Sequence, residues 1–102
     1  MGRVRITFSE SSVQDLEEMR DWYAEQGVPD VGKRFVNEII KKVSELAQYP
    51  ERGRVVPEFG QQTIRELIHP PFRVVYRRDL SRVRIVRVWR SERLLKLPTE
   101  SQ

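Results

Sequence analysis

Residues 63–90 read TIRELIHPPFRVVYRRDLSRVRIVRVWR, and the reading of this stretch decides the fold. Three runs within it, Thr63 to Ile68, Phe72 to Arg78 and Arg82 to Arg90, carry the β-branched and aromatic residues and the short-range alternation of strands. Only His69-Pro70-Pro71 and Asp79-Leu80-Ser81 separate them. Connections this short leave no room for a crossover, so the three strands form an antiparallel meander. With one face against another layer, Phe72, Val74 and Tyr76 point inward while Arg73 and Arg77 point outward.

Upstream, Val4, Ile6 and Phe8 alternate with Arg3, Arg5 and Thr7, the pattern of a half-buried strand. Ser9, Ser11 and Ser12 offer N-caps to a helix over roughly Ser11 to Gln26, whose apolar positions Val13, Leu16, Met19 and Tyr23 recur at spacings of three and four. Gly27 and Pro29 stop it, and Asp30 caps a second helix. There the stripe is Val31, Phe35, Ile39, Val43 and Leu46, widened toward the core by Val36 and Ile40 and ending near Tyr49-Pro50. Two helices joined so closely form an antiparallel hairpin that must cover the sheet. Pro50 to Gly60 has turn residues and no period, and reads as an irregular loop. The expected architecture is α+β in the order β-α-α-β-β-β, a helix hairpin packed on a small antiparallel sheet. It is a single domain of residues 1–102, with 94–102 as a C-terminal tail whose Leu94, Leu95 and Leu97 cover a sheet edge or meet a partner.

Charge is distributed unevenly along the chain. Nine arginines lie between Arg65 and Arg93 with only Glu66, Asp79 and Glu92 to offset them, whereas residues 1–64 hold nine Lys/Arg against eleven Asp/Glu. The meander is cationic and its scaffold mildly acidic. Cross-strand like charges repel, so these arginines require carboxylates or a partner to neutralise them. Guanidinium forks suit phosphate and carboxylate, which points to a nucleic acid or an acidic protein segment; the bland alternative is a solvated face that discourages edge-to-edge aggregation. Residues 9–49 carry nine Asp/Glu against five Lys/Arg, so the helix pair would repel DNA and is not a helix-turn-helix reader. The absence of cysteine excludes disulfides and thiolate metal sites. Neither a signal peptide nor a membrane-spanning run is visible, and the expectation is a soluble cytoplasmic protein that needs no cofactor or metal.

RNA cleavage needs a base for the 2′-hydroxyl, an acid for the leaving oxygen and cations for the charged phosphorane. Arginines supply the cations. Arg73, at the centre of the meander, is the best placed for a fixed guanidinium, and Glu58, in the loop, is either the base or a solvent carboxylate. The lone His69 is either a catalytic group or a turn residue, and Tyr76 reads as core. Trp22 and Trp89 either stack on bases or pack.

Several segments in order resemble the ParE/RelE family of bacterial toxins. They are Asp15-Leu16-Glu17-Glu18 leading to Trp22-Tyr23, the run Leu46 to Arg54, Ile64-Arg65-Glu66-Leu67, and Phe72-Arg73-Val74-Val75-Tyr76, within a resemblance running from about Val4 to Arg93. The resemblance implies the toxin of a type II toxin–antitoxin pair, neutralised by a cognate antitoxin whose disordered segment wraps over it. It leaves two targets: DNA gyrase, inhibited by ParE-like members with growth arrest, and ribosome-bound messenger RNA, cut by RelE-like mRNA interferases. A third reading is a detoxified interaction module, motivated by Arg90 where a branch of the family has a histidine. By position Arg73 and Arg93 match phosphate-binding arginines of the nucleases, with Glu58 beside them as the catalytic set under that alternative. Ile64 and Glu66 stand where RelE has a lysine pair, and no tyrosine follows Arg93, which favours the gyrase reading. The binding surface then comprises Arg65, Arg73, Arg77, Arg87, Arg90 and Arg93.

Overall fold

A computed structural model describes residues 3–90. Strand β1 spans Arg5–Phe8, helix α1 Glu10–Glu25 and helix α2 Pro29–Ser44, followed by a 3-10 turn at Glu45–Ala47. Strands β2 (Arg54–Val55), β3 (Ile64–His69), β4 (Phe72–Arg78) and β5 (Arg82–Arg90) complete the described chain. They lie in one sheet in the order β1-β5-β4-β3-β2. The class is α+β, with the helix hairpin on one face.

Sequence chemistry accounts for most boundaries. Ser9 takes the N-cap of α1, its hydroxyl oxygen accepting from the Ser12 N–H at 3.0 Å. Gly27, at φ 85°, ends that helix in the left-handed conformation that glycine tolerates. Helix α2 differs from expectation at its start. Asp30 is not the cap: Val28 holds that position without a side-chain bond, Pro29 occupies the first turn, and Asp30 lies within it. Proline's fixed φ and missing N–H suit the first helical position, and a carboxylate in the first turn favours the helix dipole without acting as a cap. Gly32 lets the helices approach closely, since a Cβ there would meet the Tyr23 Cβ at 3.0 Å and the Arg20 Cα at 3.1 Å.

The meander β3-β4-β5 is antiparallel as its short turns require. Two features extend the expected sheet. Strand β1 pairs in parallel with β5, Ile6 opposite Val83 and Phe8 opposite Ile85, with the helix hairpin and strands β2 to β4 all lying between them in the chain. Arg54–Val55, read as loop, forms the short strand β2 against Glu66 and Arg65 of β3. Two residues are too few to show a period, so composition there reports only the turns around them. The sheet is therefore mixed and five-stranded.

The core lies between helices and sheet. Leu16 and Met19 of α1 with Ile39 and Val43 of α2 pack on Leu67, Phe72, Val74, Tyr76, Val83, Ile85 and Val88. Val13 and Ile40, read as part of the apolar stripes, are instead 42% and 44% exposed, since each helix buries only the part of its face that meets the sheet. A β-bulge changes the facing of β5. Val75 pairs with Arg87 but Tyr76 with Ile85, so Val86 is the extra residue. Ser9 joins this irregularity to α1: its hydroxyl donates to the Val86 carbonyl at 2.9 Å and its N–H to the Ile85 carbonyl at 2.9 Å. Across the bulge the inward positions shift from Val83 and Ile85 to Val88, which places both Arg84 and Arg87 on the outer face.

Candidate functional site: a buried arginine clamped by two glutamates

Arg73 occupies the outer face of β4, opposite Phe72 and Val74, as alternation requires. It was expected to reach solvent, yet it is only 4% exposed. Its cover is the loop between β2 and β3, together with Glu66 beneath it. The Arg73 Nε donates to Glu66 Oε1 at 2.6 Å, and the same guanidinium contacts that oxygen again through Nη2. The other side of the fork meets Glu58, Nη1 to Oε2 at 3.2 Å and Nη2 to Oε1 at 3.1 Å, a bidentate pair. Glu66 is itself 1% exposed and takes a further bond from Arg54 Nε to Oε2 at 2.6 Å. The result is a line of alternating charges, Arg54, Glu66, Arg73 and Glu58, across β2, β3, β4 and the roofing loop.

The electrostatics follow from this packing. Burial works against the charge of Arg73, but the hydrogen bonds it donates to Glu58 and Glu66 and their negative charge hold its pKa above the ordinary arginine value. Arg73's hydrogen bond keeps the Glu58 carboxyl below the usual carboxylate range, against an opposing contribution from burial. A carboxylate held ionised in this way is a weak proton acceptor. The sequence shows Glu66 as an offset to nearby arginines and as a departure from RelE's lysine pair, not as a buried counter-charge. Its spacing gives no sign of burial, because that depends on the bond from β2, a strand the sequence does not announce.

The rim of this network is fixed by Tyr76. Its ring is fully buried, its hydroxyl donates to the Pro50 carbonyl at 2.8 Å, and it accepts from the Gly53 N–H at 2.9 Å. Burial raises the phenol's pKa, keeping it a neutral donor. Gly53 is needed for the approach, since a Cβ there would fall 2.6 Å from that hydroxyl and 2.7 Å from the Glu66 carbonyl oxygen. Arg65 closes the same corner, donating to the Gly53 carbonyl at 2.9 Å and, from Nε, to the Gln62 carbonyl at 3.0 Å.

The remaining expected site residues are dispersed. Arg87 forks onto Asp15 of α1 at 2.8 and 3.0 Å, and that hydrogen bond raises the Arg87 pKa against the cost of burial. The same carboxylate accepts the Val88 N–H at 2.9 Å, capping β5 beyond the point where β1 stops pairing with it. Arg87 also lies over the Trp89 ring at 4.7 Å. Arg90 faces the helix side, its guanidinium 5.7 Å from the Phe72 ring centroid. Beside it Trp22, half exposed, Tyr23, Glu18 and Trp89 line a groove of about 500 Å³. His69 pairs with Glu38 of α2 at 2.9 Å and sits edge-on to Phe35, which gives it a packing role at the hairpin end. Arg77 is exposed. Arg93 and the tail 94–102 lie outside the described residues. Among the described residues no group of three or more His, Cys, Asp or Glu could hold a metal ion, and no helix is long and apolar enough to cross a membrane.

A family model for the ParE toxin of the type II toxin–antitoxin system parDE matches residues 6–95. Among solved structures, the chain resembles one from the chromosomal ParDE toxin–antitoxin system of P. aeruginosa, with a TM-score of 0.72, 22% identity, and coverage of 86% of this chain and 96% of that one. It also resembles a chain of the RelBE2 toxin–antitoxin complex of Mycobacterium tuberculosis, with a TM-score of 0.65, 17% identity, and 86% and 98% covered. The solution structure of a conserved hypothetical protein from Helicobacter pylori follows at a TM-score of 0.54, 16% identity, and 87% and 96% covered. At these identities the structural matches establish the shared fold. No curated protein sequence matches the chain.

Proposed function

Because the chain belongs to the ParE toxin family of type II toxin–antitoxin systems, we propose that it arrests growth by inhibiting DNA gyrase and is neutralised by a cognate antitoxin. The observation that carries this reading is the state of Glu58 and Arg73. An RNA-cleaving site would need a carboxylate free to take a proton and a guanidinium free to meet a phosphate. Here the two are committed to each other at 3.1 and 3.2 Å, with Glu66 as a further buried counter-charge. His69, the sole histidine, is bound to Glu38. A binding toxin needs none of these groups to turn over. The antitoxin reading draws support from the ParDE and RelBE2 relatives, both named as toxin–antitoxin systems.

Supercoiling and cleavage assays with purified gyrase test the proposal: micromolar protein should block supercoiling, and added antitoxin should restore it. An unaffected gyrase at that concentration would overturn it. The ribonuclease alternative keeps one supporting observation, the juxtaposition of Arg73 and Glu58. New codon-positioned ends on translated messages that disappear in Arg73→Ala would establish it instead.

A further inference from the structure

Eight of the ten arginines on the described strands divide into two groups of four. Arg73 and Arg54 are neutralised by Glu58 and Glu66, Arg87 by Asp15, and Arg78 lies 3.6 Å from Glu51. At the opposite end of the outer face the pattern ends. Arg77 of β4 sits directly opposite Arg84 of β5, and Arg82 of β5 directly opposite Arg5 of β1. All four are exposed. None of the ion pairs among the described residues reaches Arg5, Arg77 or Arg84, and Arg82 has only Asp79 at 3.9 Å. With neighbouring strands about 4.8 Å apart and alternate residues about 6.8 Å apart along a strand, the four side chains spring from an area roughly 10 Å by 7 Å.

Like charges directly opposed across a ladder destabilise a sheet. Two such pairs side by side contribute nothing to the fold, and their position away from Arg73 separates them from the clamped network. We propose that Arg5, Arg77, Arg82 and Arg84 form a contact surface for the phosphate backbone of duplex DNA. Duplex DNA presents one negative charge per about 1.7 Å of axis, so a cationic patch of this width faces several phosphates at once. Within the patch the intervening outer-face residue is Thr7, with no aromatic ring. A single strand bound by base stacking would require such rings, and Trp89, further along this face, lies under Arg87 instead. The inference goes beyond gyrase inhibition, and DNA contact is expected of the protein alone.

The test is fluorescence anisotropy of a labelled 20-base-pair duplex with the purified chain and no gyrase present. If about four phosphates are contacted, log K should fall against log salt with a slope near −3.6, roughly 150-fold weaker binding at 200 mM than at 50 mM. Arg77→Gln/Arg84→Gln should lower that slope by about 2, and so should Arg5→Gln/Arg82→Gln. Lys33→Gln/Lys41→Gln, on the exposed side of α2, should leave it unchanged. Circular dichroism melts should show both arginine variants folded and at least as stable as the parent, since each removes a repulsive pair. The proposal is overturned by no binding at 50 mM salt, by an unchanged slope in both arginine variants, or by tighter binding to single-stranded RNA or polyglutamate at equal salt. Because gyrase is absent, either result leaves the gyrase reading to its own assay.

Discussion

Replacing Glu66 by glutamine should destabilise the protein by about 3 kcal/mol, the lower end of the cost of breaking a buried ion pair from one side. Glu66 is 1% exposed and accepts from both Arg73 Nε and Arg54 Nε at 2.6 Å. Hydrogen bonds to charged groups are worth roughly 1.5–3 kcal/mol each. Glutamine keeps the shape, but its amide nitrogen would face one of the two guanidinium donors, so at least one bond is lost along with the charge. Glu58 still holds the far side of Arg73, which keeps the cost from the top of the range. At about 4–8 °C per kcal/mol for a domain of this size, the melting midpoint should drop by roughly 12–24 °C. Urea denaturation of Glu66→Gln, Glu66→Met and Glu66→Met/Arg73→Met measures this. The double variant should be no less stable than Glu66→Met alone, because it removes a buried cation that has lost one of its two carboxylates. A Glu66→Gln cost under about 1 kcal/mol, or a double variant clearly weaker than the single, would refute the reasoning.

Four further variants test other contacts of the fold. Gly53→Ala should cost about 3 kcal/mol in urea titration, since its Cβ would press on the Glu66 carbonyl and the Tyr76 hydroxyl; Tyr76→Phe, which leaves the Gly53 N–H unpartnered, should cost about 2 kcal/mol. Asp15→Ala should cost about 2 kcal/mol and speed hydrogen exchange at the Val88 amide, which loses its acceptor. Glu58 has a depressed folded-state pKa, so its pairing stabilises the protein above the ordinary carboxylate value of 4.5 and is lost as pH falls through the lower folded value. The stability gap between the parent and Glu58→Gln should therefore be constant from pH 6 to 8 and shrink on acidification below about 4.5; a gap unchanged at pH 3 would contradict the ion pair.

The sequence by itself determined the α+β class, the helix hairpin, the three-stranded meander and the cationic character of its outer face. These are local properties: periodicity, turn residues and charge are written in consecutive positions. It also placed Arg73 at the centre of the outer face and Tyr76 in the core. Only the tertiary structure decided which arginines remain available. Burial of Arg73 comes from Glu58, fifteen residues earlier, and Glu66, seven residues earlier, brought together by a two-residue strand with no legible period. Asp15 reaches Arg87 across 72 residues because α1 lies along the edge of β5 that β1 leaves open. The bulge at Val86 turns Arg84 and Arg87 to one face, which a strict period of two would have assigned to opposite faces. Charge count is a property of the chain, whereas charge compensation depends on distances between residues remote in sequence, and folding alone sets those.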